Sequence, residues 1–168
     1  MQSLPRKCWI KMQNSHIFGG NMAELKQRVF FDTNVLVDVL VGAIRPSYIP
    51  SLRLFEAASK GIFEAFITTQ SIIDAEFISN RSPGSKNPDF HKKMLYIMSF
   101  VNVTQIDGLS IREALKNPTG DFEDDAQFAQ ADSEEFDIVV TSDRRFLARQ
   151  SADGPKFMTP ENLIEKMS

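Results

Sequence analysis

A short apolar run, residues 29–31, ends at Asp32 and leads directly into a helical pattern, and this order is what most constrains the fold. Further runs rich in β-branched and aromatic residues, typical of strands, occur at 62–67, 101–106, 138–141 and near 157. Apolar residues with helical spacing fill the intervals. Strands that alternate with helices form parallel sheets covered on both faces. We therefore predict an α/β fold with three α/β/α layers and a central, mostly parallel sheet of four or five strands.

The predicted helices are placed by apolar spacing and by capping and stop residues. They lie at 35–40, 47–60, 71–79, 90–100, 110–115, 121–134 and from 160, with a turn or short helix at 144–148 and a loop at 80–88.

The size and composition limit the class of protein. The chain has 168 residues, enough for one domain, and is 42% apolar and 24% charged, which is typical of a globular protein. No stretch has the length of a membrane span, so we expect a cytoplasmic protein without a membrane partner. Cys8 is the only cysteine and His16 and His91 are the only histidines, which excludes an internal disulfide and does not support a histidine-rich zinc centre. The net charge of -3 argues against a broadly basic nucleic-acid surface.

The N-terminal segment differs from the rest of the chain. Residues 1–27 are predicted to be a poorly ordered extension, and residues 28–168 one domain. Met22 opens a run that leads directly into the first strand and resembles a natural start, so residues 1–21 are interpreted as an upstream extension. Its apolar patch is too short for a secretion signal.

Four aspartates lie where this fold would direct carboxylates toward the C-terminal edge of the sheet. Asp32 and Asp143 follow predicted strands, Asp74 lies about one helical turn beyond another, and Asp124 is in the first turn of a helix. Ligands of open α/β sheets bind at this edge. Because Mg²⁺ and Mn²⁺ prefer oxygen ligands, the set predicts a divalent-metal site.

Each aspartate taken alone is explained at least as well by a helix cap or a turn. Asp38 is predicted on the polar face of the first helix, and Asp107 and Asp137 flank strands as turn residues. The metal-site hypothesis therefore depends on the combination.

Four segments in combination resemble the PIN domain family. They are FDTNVL at 31–36, SIID at 71–74, DFEDDAQ at 121–127 and IVVTSD at 138–143. Their order and spacing extend over about residues 28–160. The resemblance implies a parallel α/β sheet with an acidic pocket for Mg²⁺ or Mn²⁺, and ribonuclease activity of the VapC toxin type.

The resemblance also assigns residues. The catalytic acids would be Asp32, Asp74, Asp124 and Asp143. Of these, Asp32, Asp124 and Asp143 would bind the metal. Glu76 also falls near the family position of the second acid, but Asp74 is preferred because it follows Ser71 by three residues. The residues supporting the site would be Thr33, Asn34, Asp121, Asp125 and Thr141, with Thr141 orienting it through its hydroxyl and Asp125 standing where the family often has an apolar residue.

The predicted reaction is metal-assisted hydrolysis of an RNA phosphodiester, in which a metal-bound water attacks and no protein nucleophile is needed. Arg144 and Arg145 follow Asp143 and are candidate contacts to the RNA backbone, with Arg149 one turn further along.

Two other interpretations remain open. One is a non-catalytic PIN-like module that binds RNA or a protein; the other is a receiver-like domain, for which the spacing of the acids is wrong. The resemblance further implies a small antitoxin partner and a homodimer. Exposed apolar surface on the helices at 47–60 and 90–100 would mark a partner surface.

Overall fold

The computed structural model describes residues 26–81, 89–149 and 154–167. The predicted N-terminal extension, except its last two residues, lies outside the described residues, and so does most of the predicted loop at 80–88. The strands are β1 (Arg28–Phe31), β2 (Glu64–Thr68), β3 (Val101–Thr104), β4 (Ile138–Val140) and β5 (Lys156–Met158). The helices are α1 (Thr33–Val41), α2 (Tyr48–Ser59), α3 (Thr69–Arg81), α4 (Phe90–Ile97), α5 (Gly108–Lys116), α6 (Phe122–Ser133), α7 (Arg144–Leu147) and α8 (Pro160–Met167).

The five strands form one sheet in the order β3-β2-β1-β4-β5, and every neighbouring pair is parallel. The central strand is β1, in which Phe30 pairs with Phe66 of β2 and with Val139 of β4. Helices cover both faces, so the predicted three-layer α/β/α fold with a parallel sheet is confirmed.

Successive side chains of β1 enter two different cores because strand residues alternate between the faces of a sheet. Phe31 belongs to a core formed with α1, α2, α3, α4 and α8, and its ring lies 5.1 Å from that of Phe55 and 6.0 Å from that of Phe63. Phe30 belongs to a second core formed with α6 and α7, and its ring lies 5.4 Å from that of Phe136. The strand is therefore anchored on both sides.

The carboxyl ends of β1, β2 and β4 lie side by side because these strands are parallel neighbours. The next residues along the chain are Asp32, Thr69 and Thr141. This edge of the sheet is where the predicted acidic site is expected.

The prediction for Asp38 was wrong. Asp38 lies on the buried face of α1, where its carboxylate accepts hydrogen bonds from Arg45 Nε at 2.8 Å and from Ser51 Oγ at 3.1 Å. The helical pattern predicted a polar face, but a cation from the following turn compensates the buried charge.

Phe31→Ala is expected to lower the free energy of unfolding by about 3–5 kcal/mol, because it removes a fully buried ring from the center of the larger core. Chemical denaturation measures the change. Phe77→Ala is the matched control, since the Phe77 side chain is 55% exposed and its loss should change the value by less than about 0.5 kcal/mol. Equal losses for both variants would contradict the assignment of the core.

Candidate metal centre

The carboxylate of Asp32 is buried at the end of β1. The Asp32 backbone N–H donates to the carbonyl of Val140 at 3.0 Å, which holds this position against β4. Its Oδ2 atom accepts hydrogen bonds from Thr141 Oγ1 at 2.7 Å and from Asn34 Nδ2 at 3.3 Å. Burial raises the pKa of Asp32 to about 6, although the hydrogen bonds from Thr141 and Asn34 act to lower it.

Asp143 lies beside Asp32 through a shared contact to Thr141. The Asp143 N–H donates to Thr141 Oγ1 at 3.0 Å, while the Thr141 hydroxyl donates to Asp32. One oxygen of Asp143 caps α7 by accepting from the N–H groups of Arg145 at 2.7 Å and Phe146 at 3.2 Å. Thr141 therefore orients the carboxylate of Asp32 and holds the backbone of Asp143, which is a geometry consistent with its predicted role.

Asp124 is the buried acid of the α6 N-terminus. Asp121 caps this helix by accepting from the N–H groups of Glu123 at 3.2 Å and Asp124 at 3.4 Å. No donor among the described residues contacts the Asp124 carboxylate. Burial, together with the negative charges of Asp32, Asp121 and Asp143, raises the pKa of Asp124 to about 7, although the positive charge of Arg149 acts to lower it. Electrostatic influence of this kind requires that the four acids lie close together.

Asp74 and Glu76 occupy different parts of the α3 surface. Both oxygens of Asp74 accept from Gln70 Nε2 at 2.9 Å, and the negative charge of Asp74 acts on Glu123 at the acidic site. Glu76 is exposed and accepts from Asn80 Nδ2 at 2.6 Å. The geometry thus favours Asp74, the preferred candidate, as the second acid.

Glu123 is an acid of this site that the sequence analysis did not single out. Its Oε1 atom accepts from Thr33 Oγ1 at 3.0 Å and from Gln127 Nε2 at 3.0 Å. Burial raises the pKa of Glu123, and so do the charges of Asp74 and Asp121, against the hydrogen bond from Thr33. The signal in the sequence was the spacing of Glu123 and Gln127, which places them on one face of a helix.

A chain of buried hydroxyl groups connects Glu123 to the end of β2. Thr33 Oγ1 lies 3.0 Å from Ser71 Oγ, which lies 2.8 Å from Thr68 Oγ1. The Ser71 N–H also donates to Thr68 Oγ1 at 2.9 Å. Thr33, predicted as a residue supporting the site, thus links α1, α3 and α6.

Asp125 and Arg149 form a salt bridge. The Asp125 carboxylate accepts from the backbone N–H of Thr119 at 2.9 Å, from its hydroxyl at 2.6 Å and from the Arg149 guanidinium. Burial acts to raise the pKa of Asp125, but these donors lower it below its ordinary value. The Arg149 side chain is 14% exposed, which does not suit an RNA contact, whereas Arg144 and Arg145 are exposed.

The donor set fits a hard divalent cation. Within residues 26–81, 89–149 and 154–167, no three acidic, histidine or cysteine side chains form a ready-made metal cage. Asp32 and Asp143 each direct one oxygen to a protein donor, which leaves few oxygens for a cation. Mg²⁺ and Mn²⁺ suit such a sparse set of carboxylates because Mg²⁺ retains several waters. A cation would also relieve the repulsion that raises the pKa of Asp124.

Comparison with known protein families identifies the family of this chain. The family model of the PIN domain matches residues 28–145, which is more than half of the chain. The chain therefore belongs to the PIN domain family, as the sequence motifs predicted. A comparison with curated proteins gives no significant match.

Solved structures with this fold include toxins and their complexes. The VapC20 toxin of Mycobacterium tuberculosis, described as cleaving the sarcin-ricin loop, is 14% identical, with a TM-score of 0.59 over 76% of this chain and 98% of that one. The VapBC2 complex of Rickettsia felis, bound to a promoter DNA fragment, is 14% identical, with a TM-score of 0.56 over 79% and 98%. A toxin-antitoxin complex of Klebsiella pneumoniae is 17% identical, with a TM-score of 0.56 over 79% and 97%. At these identities the likeness shows the fold.

Among the described residues, no helix is both long and apolar enough to cross a membrane.

Asp32→Asn and Asp124→Asn are expected to stabilise the metal-free protein at pH 8. A carboxyl group whose pKa is raised in the folded state stabilises the fold below its ordinary pKa of 3.8, and this stability is lost as the pH rises through about 6 for Asp32 or about 7 for Asp124. An uncharged amide avoids this cost, which is at most about 3–4 kcal/mol for each group and falls to roughly 1–3 kcal/mol after solvent screening.

Thermal unfolding in EDTA between pH 4 and pH 8 measures this effect. The difference in Tm between each variant and the wild type should be small at pH 4 and should grow as the pH rises. Asp132→Asn, an exposed change two turns further along α6, should show no such growth. Variants that lose stability relative to the wild type as the pH rises would contradict the raised pKa values of Asp32 and Asp124.

Proposed function

We propose that the chain is an endoribonuclease that hydrolyses RNA phosphodiester bonds with Mg²⁺ or Mn²⁺. The observation that carries this proposal is the Asp124 carboxylate, which is buried and accepts no hydrogen bond from the described residues. The negative charges of Asp32, Asp121 and Asp143 repel it and raise its pKa. A bound cation would offset this repulsion. Membership of the PIN domain family supports the same conclusion.

Asp32, Asp124 and Asp143 would hold the cation. When bound, it would polarise a nonbridging phosphate oxygen and lower the pKa of a water for in-line attack. The hydroxyl of Thr141 would keep Asp32 oriented toward the cation through its 2.7 Å hydrogen bond. Asp74 and Glu123, which influence each other electrostatically, would position the attacking water.

The proposal includes a small antitoxin partner. The structures from R. felis and K. pneumoniae are toxin-antitoxin complexes of this fold. The helices expected to carry a partner surface do expose large apolar side chains, with Ile49 of α2 at 53%, Leu95 of α4 at 72% and Tyr96 at 67%. A cavity of about 290 Å³ lies between α1, α2 and α4 and is lined by Leu52, Phe55 and others. An apolar segment of a partner would bury this surface.

Cleavage of labelled RNA by the purified protein should require Mg²⁺ or Mn²⁺ and should cease in EDTA. Asp32→Asn and Asp124→Asn are expected to lower the rate at least about 100-fold, because cation-mediated stabilisation of charge contributes several kcal/mol to such reactions. Asp132→Asn is the matched control, since it removes an exposed charge from the same helix and should retain the wild-type rate.

The result separates catalysis from mere binding. Cleavage that persists in EDTA and in both site variants would overturn the metal-carboxylate mechanism. RNA binding without cleavage, in the wild type with either metal present, would instead identify a non-catalytic module.

Arg144→Ala with Arg145→Ala is expected to weaken RNA binding without regard to RNA sequence, because both side chains are exposed beside Asp143 and would contact phosphates. The slope of the logarithm of affinity against the logarithm of salt concentration should fall by about 0.7 for each lost contact. Affinity measured between 50 and 200 mM salt checks this. Arg53→Ala, an exposed arginine on α2, is the control, and an equal loss there would show a non-specific effect of charge.

A further inference from the structure

Arg149 and Asp125 form an ion pair that belongs to neither the proposed ligand set nor the proposed RNA surface. Both side chains are largely buried, at 14% and 3% exposure. The guanidinium also donates to the Thr119 hydroxyl and lies 5.4 Å from the ring centroid of Phe146 and 5.8 Å from that of Phe128. These contacts hold the arginine in place from several directions.

The pair joins two segments that each carry a proposed metal ligand. Asp125 is the residue after Asp124 in the first turn of α6. Arg149 follows α7, and the N-cap of that helix is Asp143. The two segments are separated in sequence by the rest of α6 and by β4, so a contact between them helps to set the distance between the two carboxylates.

The pair also lies within electrostatic reach of the proposed site. The positive charge of Arg149 acts to lower the pKa of Asp124. An unpaired cation here would oppose the binding of a metal ion, but Asp125 neutralises it. Two opposite charges in contact partly offset each other, so the pair can fix geometry with less repulsion of a metal than an unpaired arginine would cause.

We propose that the Arg149–Asp125 ion pair is a positioning device that holds Asp124 and Asp143 at the separation needed to share one divalent cation. This inference rests on the proposed function, because it concerns the same metal site. Neither Arg149 nor Asp125 would contact the metal or the RNA. Partners that orient metal ligands are known to affect metal affinity roughly 10- to 100-fold.

The test measures Mn²⁺ binding to the full-length, metal-free protein by titration calorimetry or electron paramagnetic resonance. Three variants are compared with the wild type: Arg149→Met, Asp125→Asn and the double variant. The double variant keeps the net charge of the wild type, and so isolates geometry from electrostatics. The matched control is Arg45→Met with Asp38→Asn, which removes another Arg–Asp pair with a buried carboxylate, located on α1 and the turn after it.

All three variants are expected to bind Mn²⁺ more weakly, with a Kd raised by roughly 10- to 100-fold. The control pair should change it by less than about 2-fold, since Asp38 and Arg45 lie outside the proposed site, even where thermal unfolding in EDTA shows a loss of stability. If the double variant unfolds at the assay temperature, Thr119→Val removes only one hydroxyl from the network and should give a smaller weakening in the same direction.

Other results would overturn the inference in distinguishable ways. A purely electrostatic role predicts opposite signs: Arg149→Met would then tighten Mn²⁺ binding and Asp125→Asn would weaken it. A double variant that binds Mn²⁺ as tightly as the wild type would show that the pair has only a structural role. Failure of the wild type itself to bind Mn²⁺ would overturn the proposed metal site and, with it, this inference.

Discussion

The hydroxyl of Thr141 is the single contact on which the arrangement of the acidic site depends most directly. It donates to the carboxylate of Asp32 and accepts from the backbone N–H of Asp143, so one oxygen atom connects two acidic residues that are 111 residues apart in sequence. This contact is available only because β1 and β4 are adjacent parallel strands that end at the same edge of the sheet. The fold therefore determines the site through strand order.

The buried aspartates of this protein divide into two kinds. Asp38 and Asp125 each have an arginine partner, Arg45 and Arg149, which compensates the burial of charge. Asp32 and Asp124 have none among the described residues, and their pKa values are raised. The two cores beside β1 must therefore provide stability that this site does not, a pattern expected where function requires an unfavourable arrangement. Both of these unpaired acids are among the three that the family resemblance assigned to the metal.

The sequence predicted the fold because strand and helix periodicities alternate regularly and because a parallel sheet follows from that alternation. Strand ends were less accurate: the second strand begins at Glu64 rather than 62, since Gly61 and the residues after it form a turn. Asp32 and Asp143 could be placed because a strand end fixes where the next residue lies. The spacing of Glu123 and Gln127 indicates only a shared helix face. The contact of Glu123 with Thr33, 90 residues away, and that of Arg149 with Asp125, 24 residues away, depend on tertiary packing that local periodicity does not predict.

In the proposed reaction, a protein with a net charge of -3 must bring a polyanion to a cluster of carboxylates. The exposed arginines at 144 and 145 can reduce this repulsion at the rim of the site. Arg149, whose charge acts on Asp124, is already paired with Asp125. The positive charge that meets the scissile phosphate must then come from the metal itself. Metal and RNA would therefore each increase the affinity for the other, as thermodynamic linkage requires when two ligands of opposite charge share one site. A site of this kind would bind RNA weakly until its carboxylates were neutralised.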